Sequence, residues 1–154
     1  MIEERLSELG IELPPPPAPV ASYVPVRIAG ALAFVAGQIP LEDGTVSPTG
    51  AVDADVTVER AQGGARRCAL QALAALREAL GTLDRVVGVV KLTVYVASSP
   101  GFTQQPAVAN GASDVLVEIF GEGGRHARAA VGVAELPLGA SVEVAVTAAI
   151  APTG

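Results

Sequence analysis

The chain has no tryptophan, one cysteine and one histidine, and aromatic residues make up only 3% of it. Each scarcity closes a class of chemistry. A lone cysteine excludes an internal disulfide. Cys68 and His126 fall on different predicted elements, so neither a zinc site nor a cysteine–histidine nucleophile pair has its parts assembled, and no metal or cofactor is expected. The glycine cluster at 121–124 follows a predicted helix, whereas a phosphate-cradling loop precedes one. No apolar run reaches the roughly 18–20 uninterrupted residues of a membrane helix, and the N-terminus MIEERLSELG is acidic and amphipathic, unlike a secretory leader. Positive charge is scarce as well. The formal net charge is −6, the pI is near 4.7, and Arg66–Arg67 is the one tight basic pair, which argues against nucleic acid as a main partner. A soluble, cytoplasmic protein without membrane contact is expected.

What the chain does have is aliphatic bulk. Half of its 154 residues are hydrophobic, so residues 1–154 are expected to form one domain with a core of Ala, Val, Leu and Ile. Sheet faces rich in Ala and Gly are often completed by another subunit, which favours an oligomer. Ile2, Leu6 and Leu9 predict a short N-terminal helix stopped by Gly10. The proline-rich run through Pro19 is then a stiff connector rather than an SH3-type ligand.

A hairpin is predicted from Tyr23 to Ile28 and from Ala31 to Ala36 about a turn at Ala29–Gly30, with Pro25 marking the first strand as an edge strand or a bulged one. Residues 41–56 read as a loop. Thr57 is the candidate cap of a helix whose apolar series is Ala61, Ala65, Cys68, Ala72, Leu76 and Ala79, with Gly81 as its stop. That series makes Cys68 an inert core thiol, and Gly63–Gly64 implies close packing. Residues 86–97 predict a strand with Val90, Leu92, Val94 and Val96 inward. A second helix is expected over 103–120, with Val108, Ala112, Val115, Leu116 and Ile119 inward.

Two more strands close the chain. Over 126–133 the odd residues Ala127, Ala129, Val131 and Val133 are apolar; after Pro137 and Gly139 the even residues Val142, Val144, Val146, Ala148 and Ile150 are. One strong charge remains on each opposite face, Arg128 and Glu143. Two readings stand at this point: a structural ion pair or solvated residues, and a site in which the planar guanidinium fork of Arg128 grips a small anion. His126, beside Arg125, reads as a solvated residue at a strand start. Right-handed crossovers place both helices on one face of a single sheet, leaving the other face, with Lys91, Thr93, Arg128 and Glu143, for another subunit to cover.

The run from Arg128 through Leu136–Pro137, followed by Val142–Glu143–Val144, resembles the C-terminal signature of the RidA (YjgF) family, whose older label is endoribonuclease L-PSP. Phe34 and the segment ending Gly37–Gln38–Ile39–Pro40 resemble its other signature. The resemblance spans about Pro19 to Ala151 and marks a subgroup with an N-terminal extension. It implies a chorismate-mutase-like α+β fold, one mixed sheet with two helices on one face, assembling as a trimeric barrel with sites between subunits. It further implies a cofactor-free site in which Arg128 grips the carboxylate of a 2-imino or 2-enamino acid and Glu143 places or activates water. Tyr23, Gly37, Asn110 and Ser113 match positions lining the cleft.

Three departures leave the pocket smaller-walled and less polar: Ala36 for a frequent Ser or Thr, Ala130 for a Cys of some relatives, and Ser113 near an aromatic position of the archetype. The expected activity is hydrolysis of 2-imino acids to 2-keto acids and ammonia. The alternative is a small-acid binding protein that keeps the Arg128 grip without turnover. A ribonuclease follows only from the old label, and the acidic charge balance opposes it.

Overall fold

The computed structural model describes residues 1–18 and 21–153, so the final residue of the proline connector, Pro19, lies outside the described residues. Strands β1 (Val26–Ala29), β2 (Leu32–Gln38), β5 (Val86–Ala97), β6 (Ala127–Val133) and β7 (Val142–Ile150) form one mixed sheet in the order β1-β2-β7-β5-β6. β7 runs antiparallel to both β2 and β5, and β6 pairs parallel with β5. Helices α2 (Val58–Leu80) and α3 (Gln105–Phe120) cover one face. The fold is therefore α+β, as the sequence pattern implies. No described helix is long and apolar enough to cross a membrane.

The core lies between that face and the two helices. Val94, Val142 and Val144 on the strands and Leu73, Leu76 and Leu116 on the helices are all fully buried. Thr57 caps α2 by accepting a hydrogen bond from the Arg60 N–H at 3.2 Å, and Gly81 ends it in the left-handed region at φ 83°. Small residues let the layers approach closely. A Cβ on Gly64 would lie 2.9 Å from Pro48 Cδ and 3.0 Å from Val142 Cγ1, and one on Gly111 would collide with the Gln62 carbonyl of the neighbouring helix. Gln62 Nε2 donates to the Ala107 carbonyl at 2.8 Å across the same contact.

Several boundaries differ from the sequence expectation. β1 begins at Val26: Ala36 N–H donates to the Pro25 carbonyl at 2.8 Å, but proline has no N–H to extend the pairing. The turn is at Gly30–Ala31, where Gly30 adopts φ 59°. Residues 41–56 are not wholly irregular, because Leu41–Glu42 (β3) and Thr45–Val46 (β4) form a small hairpin. In α2 the inward residue of the last turn is Leu80, and Ala79 is exposed. In β5 a register shift between Val89 and Lys91 puts Val89 inward and Val90 outward, so simple alternation holds only from Leu92 onward.

Helix α1 (Ile2–Leu9) is fastened to the body by the buried side chain of Leu6, by Arg5, whose Nε and Nη2 each donate to the Glu118 carbonyl at 3.3 Å, and by the backbone and carboxylate of Glu3. Glu3 accepts from Arg77 Nη2 at 2.6 Å, from Arg77 Nε at 3.1 Å and from the Leu83 N–H at 2.9 Å, while its own N–H donates to Asp84 Oδ1 at 3.0 Å. The Arg77 hydrogen bond holds the Glu3 carboxyl below its ordinary value of 4.5. A depressed carboxyl stabilises the fold above its ordinary titration range and loses that contribution as pH falls through the folded value. Glu3→Gln is expected to lower Tm at pH 7 by about 2–4 °C, since a part-exposed pair contributes about 1 kcal/mol at most. Thermal scans at descending pH should show the gap to wild type closing below pH ~4.

Candidate functional site

Strand β6 is a sheet edge, and its parallel register sets Leu92 opposite Arg128 and Val94 opposite Ala130. Paired residues point to the same side, and Leu92 and Val94 point into the core. Arg128 therefore leaves the sheet on the helical side, not on the uncovered face where the strand pattern had placed it. There it meets α3. Its Nη1 donates to Asn110 Oδ1 at 2.8 Å and to Ser113 Oγ at 3.1 Å. Both Nη1 hydrogens are thus used, and among the described residues Nε and Nη2 have no side-chain partner. The free Nε–Nη2 edge carries two parallel N–H groups, the geometry that takes a carboxylate side-on.

His126 is not simply solvated. Its Nδ1 lies 2.6 Å from the Gly124 carbonyl and its Nε2 lies 2.8 Å from Ser113 Oγ. Sequence reading missed this contact because period two says nothing of where α3 will sit over the strand start.

Glu143 stands on the opposite, uncovered face, level with Tyr95. The β2–β7 pairing matches Val35 to Val146 but Gln38 to Val144, so β2 carries one extra residue at Ala36–Gly37. At this bulge the Gly37 backbone lies directly beneath the Glu143 carboxylate: a Cβ there would overlap Oε2 and sit 3.0 Å from Cδ. Gln71, a buried polar residue in the apolar run of α2, anchors the segment that follows. It donates to the Ile39 carbonyl at 2.9 Å and accepts from the Leu41 N–H at 2.8 Å. A lone glutamine between Leu70 and Ala72 was the signal for it. Tyr23, 51% exposed, lies on the chain entering β1, two residues before Pro25, whose carbonyl accepts from the Ala36 N–H.

The chain thus presents two clusters, Arg128 with Asn110, Ser113 and His126, and Glu143 with Gly37. Three residues along the strands at about 3.3 Å and two strand spacings at about 4.8 Å separate the Arg128 and Glu143 backbones by roughly 14 Å, with the side chains on opposite faces. An intrachain Arg128–Glu143 ion pair is excluded, and among the described residues neither side chain takes part in a salt bridge.

A mixed sheet with two helices on one face, an arginine under the edge strand and a glutamate over a glycine bulge define a recognisable class. The chain belongs to the YjgF/chorismate mutase-like endoribonuclease family, whose sequence profile matches residues 3–150. Protein TCP17 of Trypanosoma cruzi is 51% identical over 144 residues, covering 93% of this chain and 90% of that protein. The crystal structure of Atu1372 from Agrobacterium tumefaciens, a protein of unknown function, is 48% identical with a TM-score of 0.89, covering 97% of this chain and 92% of that one. Escherichia coli TdcF, solved with bound serine, shares the fold at a TM-score of 0.63 and 23% identity, covering 88% and 94%.

Burial pushes the Glu143 carboxyl above its ordinary value, and no neighbouring charge or hydrogen bond offsets the effect. A raised carboxyl favours the folded state while it stays protonated, and that advantage is lost as pH rises through the folded value. Glu143→Gln should therefore be more stable than wild type at pH 7 and no more stable at pH ~4. A Tm that falls at pH 7 would contradict this assignment.

Proposed function

We propose that the protein is a cofactor-free hydrolase of small 2-imino or 2-enamino acids, working in the cytoplasm at clefts between subunits of a homotrimer. The observation that carries the reading is the free Nε–Nη2 edge of Arg128. An arginine held by Asn110 and Ser113 through one nitrogen, with no carboxylate among the described residues to pair with, is built to receive a small anion. That TdcF binds serine, a small 2-amino acid, fits a carboxylate ligand in this fold.

In the reaction, the Arg128 fork fixes the substrate carboxylate and so orients the adjacent C=N carbon. Glu143, its carboxyl raised by burial, takes a proton from water as the oxygen attacks that carbon. Glu143 passes that proton to the nitrogen as the carbinolamine forms, then takes the carbinolamine hydroxyl proton and delivers it to the same nitrogen as the C–N bond breaks, so that ammonia leaves and the 2-keto acid remains. Arg128 and Glu143 can serve one substrate only if they come from different chains. A contact between two different faces closes into a ring when the rotation allows it. The open face supports such an assembly, since Phe34 and Val131 remain 44% and 42% exposed beside Ala129, Ala145 and Thr147.

Binding without turnover is the second reading, and one residue favours it: Ala36 leaves the bulge without the hydroxyl of many relatives. The two separate in a direct assay. With 2-aminoacrylate or 2-iminobutanoate generated in situ, keto-acid release above the buffer rate supports hydrolysis; release at the buffer rate with 2-ketobutyrate still bound supports the binder.

Arg128→Lys should not rescue either role, because an ammonium cannot make two parallel N–H···O bonds. A loss of about 3 kcal/mol, roughly a hundredfold in rate, is expected. Glu143→Gln should lower kcat while leaving 2-ketobutyrate affinity nearly unchanged. Sedimentation should give a trimer at micromolar concentration, and a monomer would remove the proposed site.

A further inference from the structure

His126 stands outside the catalytic pair, yet its hydrogen bonds lead directly to the arginine. The Gly124 carbonyl can only accept, so the His126 Nδ1 facing it at 2.6 Å carries a proton. In the neutral ring Nε2 is then an acceptor, and the group facing it at 2.8 Å, the Ser113 hydroxyl, must donate to it. That donation turns a Ser113 lone pair toward Arg128 Nη1, which donates to Oγ at 3.1 Å. The proton order runs in one direction only, from Arg128 to Ser113 to His126 to Gly124. The last member is fixed by tight packing: Gly124 is buried, and a Cβ on it would collide with the Leu116 carbonyl of α3.

We infer that His126 is a positioning residue which, by accepting the Ser113 hydroxyl proton, holds the Arg128 guanidinium with its Nε–Nη2 edge turned to the ligand. The inference rests on the carboxylate-binding role proposed for Arg128. The alternative partner for the hydroxyl shows why the histidine matters. A serine inside a helix otherwise donates to the carbonyl four residues earlier, here that of Ala109, which would swing its lone pairs away from Arg128. Asn110 would then hold Nη1 alone, and the guanidinium would be free to rotate about that single contact.

Because the chain contains one histidine, ¹⁵N labelling of that residue type gives a single imidazole spectrum. At a pH where the ring is neutral the expected spectrum shows Nδ1 protonated and Nε2 bare, with the Nε2 resonance displaced in Ser113→Ala. A neutral ring protonated on Nε2 would overturn the inference. Calorimetric titration with 2-ketobutyrate tests the consequence. His126→Ala should weaken binding by about tenfold, the span of one lost neutral hydrogen bond. Ser113→Ala should weaken it at least as much, and the double variant no further, since His126 acts through Ser113. His126→Gln, which keeps an acceptor near the Nε2 position, should bind within about threefold of wild type.

A His126→Ala protein that loses only Tm and binds 2-ketobutyrate like wild type would show the contact to be structural. Should the wild-type protein bind no 2-ketobutyrate, the ligand reading fails. The relay then stands with an unprotonated Nε2 in the ring spectrum and falls with a protonated one.

Discussion

The parallel pairing of β6 on β5 is the constraint from which the site follows. Its register ties Arg128 to Leu92, and Leu92 is committed to the core, so the guanidinium must emerge under α3. Had β6 slipped by a single residue, Arg128 would stand on the uncovered face, beyond reach of Asn110 and Ser113. The register in turn depends on the crossover through α3, whose close seating on α2 requires the absent side chain of Gly111. A glycine on one helix and a leucine in the core thus decide where a cation on the edge strand points.

The second cluster is fixed by a different device. A bulge inserts one residue into β2, and only glycine leaves room there for the Glu143 carboxylate. Bulges loosen a strand end, and Gln71 compensates by bonding Ile39 and Leu41 from the helix behind. The burial that raises the Glu143 carboxyl comes from this packing, not from a neighbouring charge. Local geometry and proton affinity at this position therefore have one cause.

Elements long enough to show a period were legible in the sequence. The bounds of β5, the Thr57 cap of α2, the Gly81 stop and the edge position of β1 all follow from local chemistry that the tertiary structure leaves intact. The family signature also brought Asn110 and Ser113 forward, and the structure sets both against Arg128. What failed was orientation. Period two in β6 separates Arg128 from Val131, but an edge strand of alanines gives no local reason to turn either face inward; the partner strand decides. The bulge at Val89–Val90 was invisible for a similar reason, because a run of valines reads alike in either phase. Ala79 was misassigned because a three-four spacing fits Ala79 and Leu80 equally, and burial selects the larger side chain. His126 was lost to a contact 13 residues away in sequence, which no local pattern encodes.

The two clusters share an energetic property in the separate chain: among the described residues the Arg128 guanidinium is only partly hydrogen-bonded and the Glu143 carboxylate has no hydrogen-bond partner. In the isolated fold Arg128 is exposed and its charge costs little, whereas Glu143 is half-buried and its carboxyl is held above its ordinary value. A neighbouring subunit that covers these faces removes water from both. The desolvation penalty then falls on the empty cleft, and a carboxylate entering the Arg128 fork offsets it through two charge-assisted hydrogen bonds. Under the proposed assembly, ligand binding and subunit association are therefore linked, each strengthening the other by the same factor. Under the same proposal a chain poor in charge keeps these two because a second copy of the fold, by excluding water from both, would make the cleft selective for a small acid.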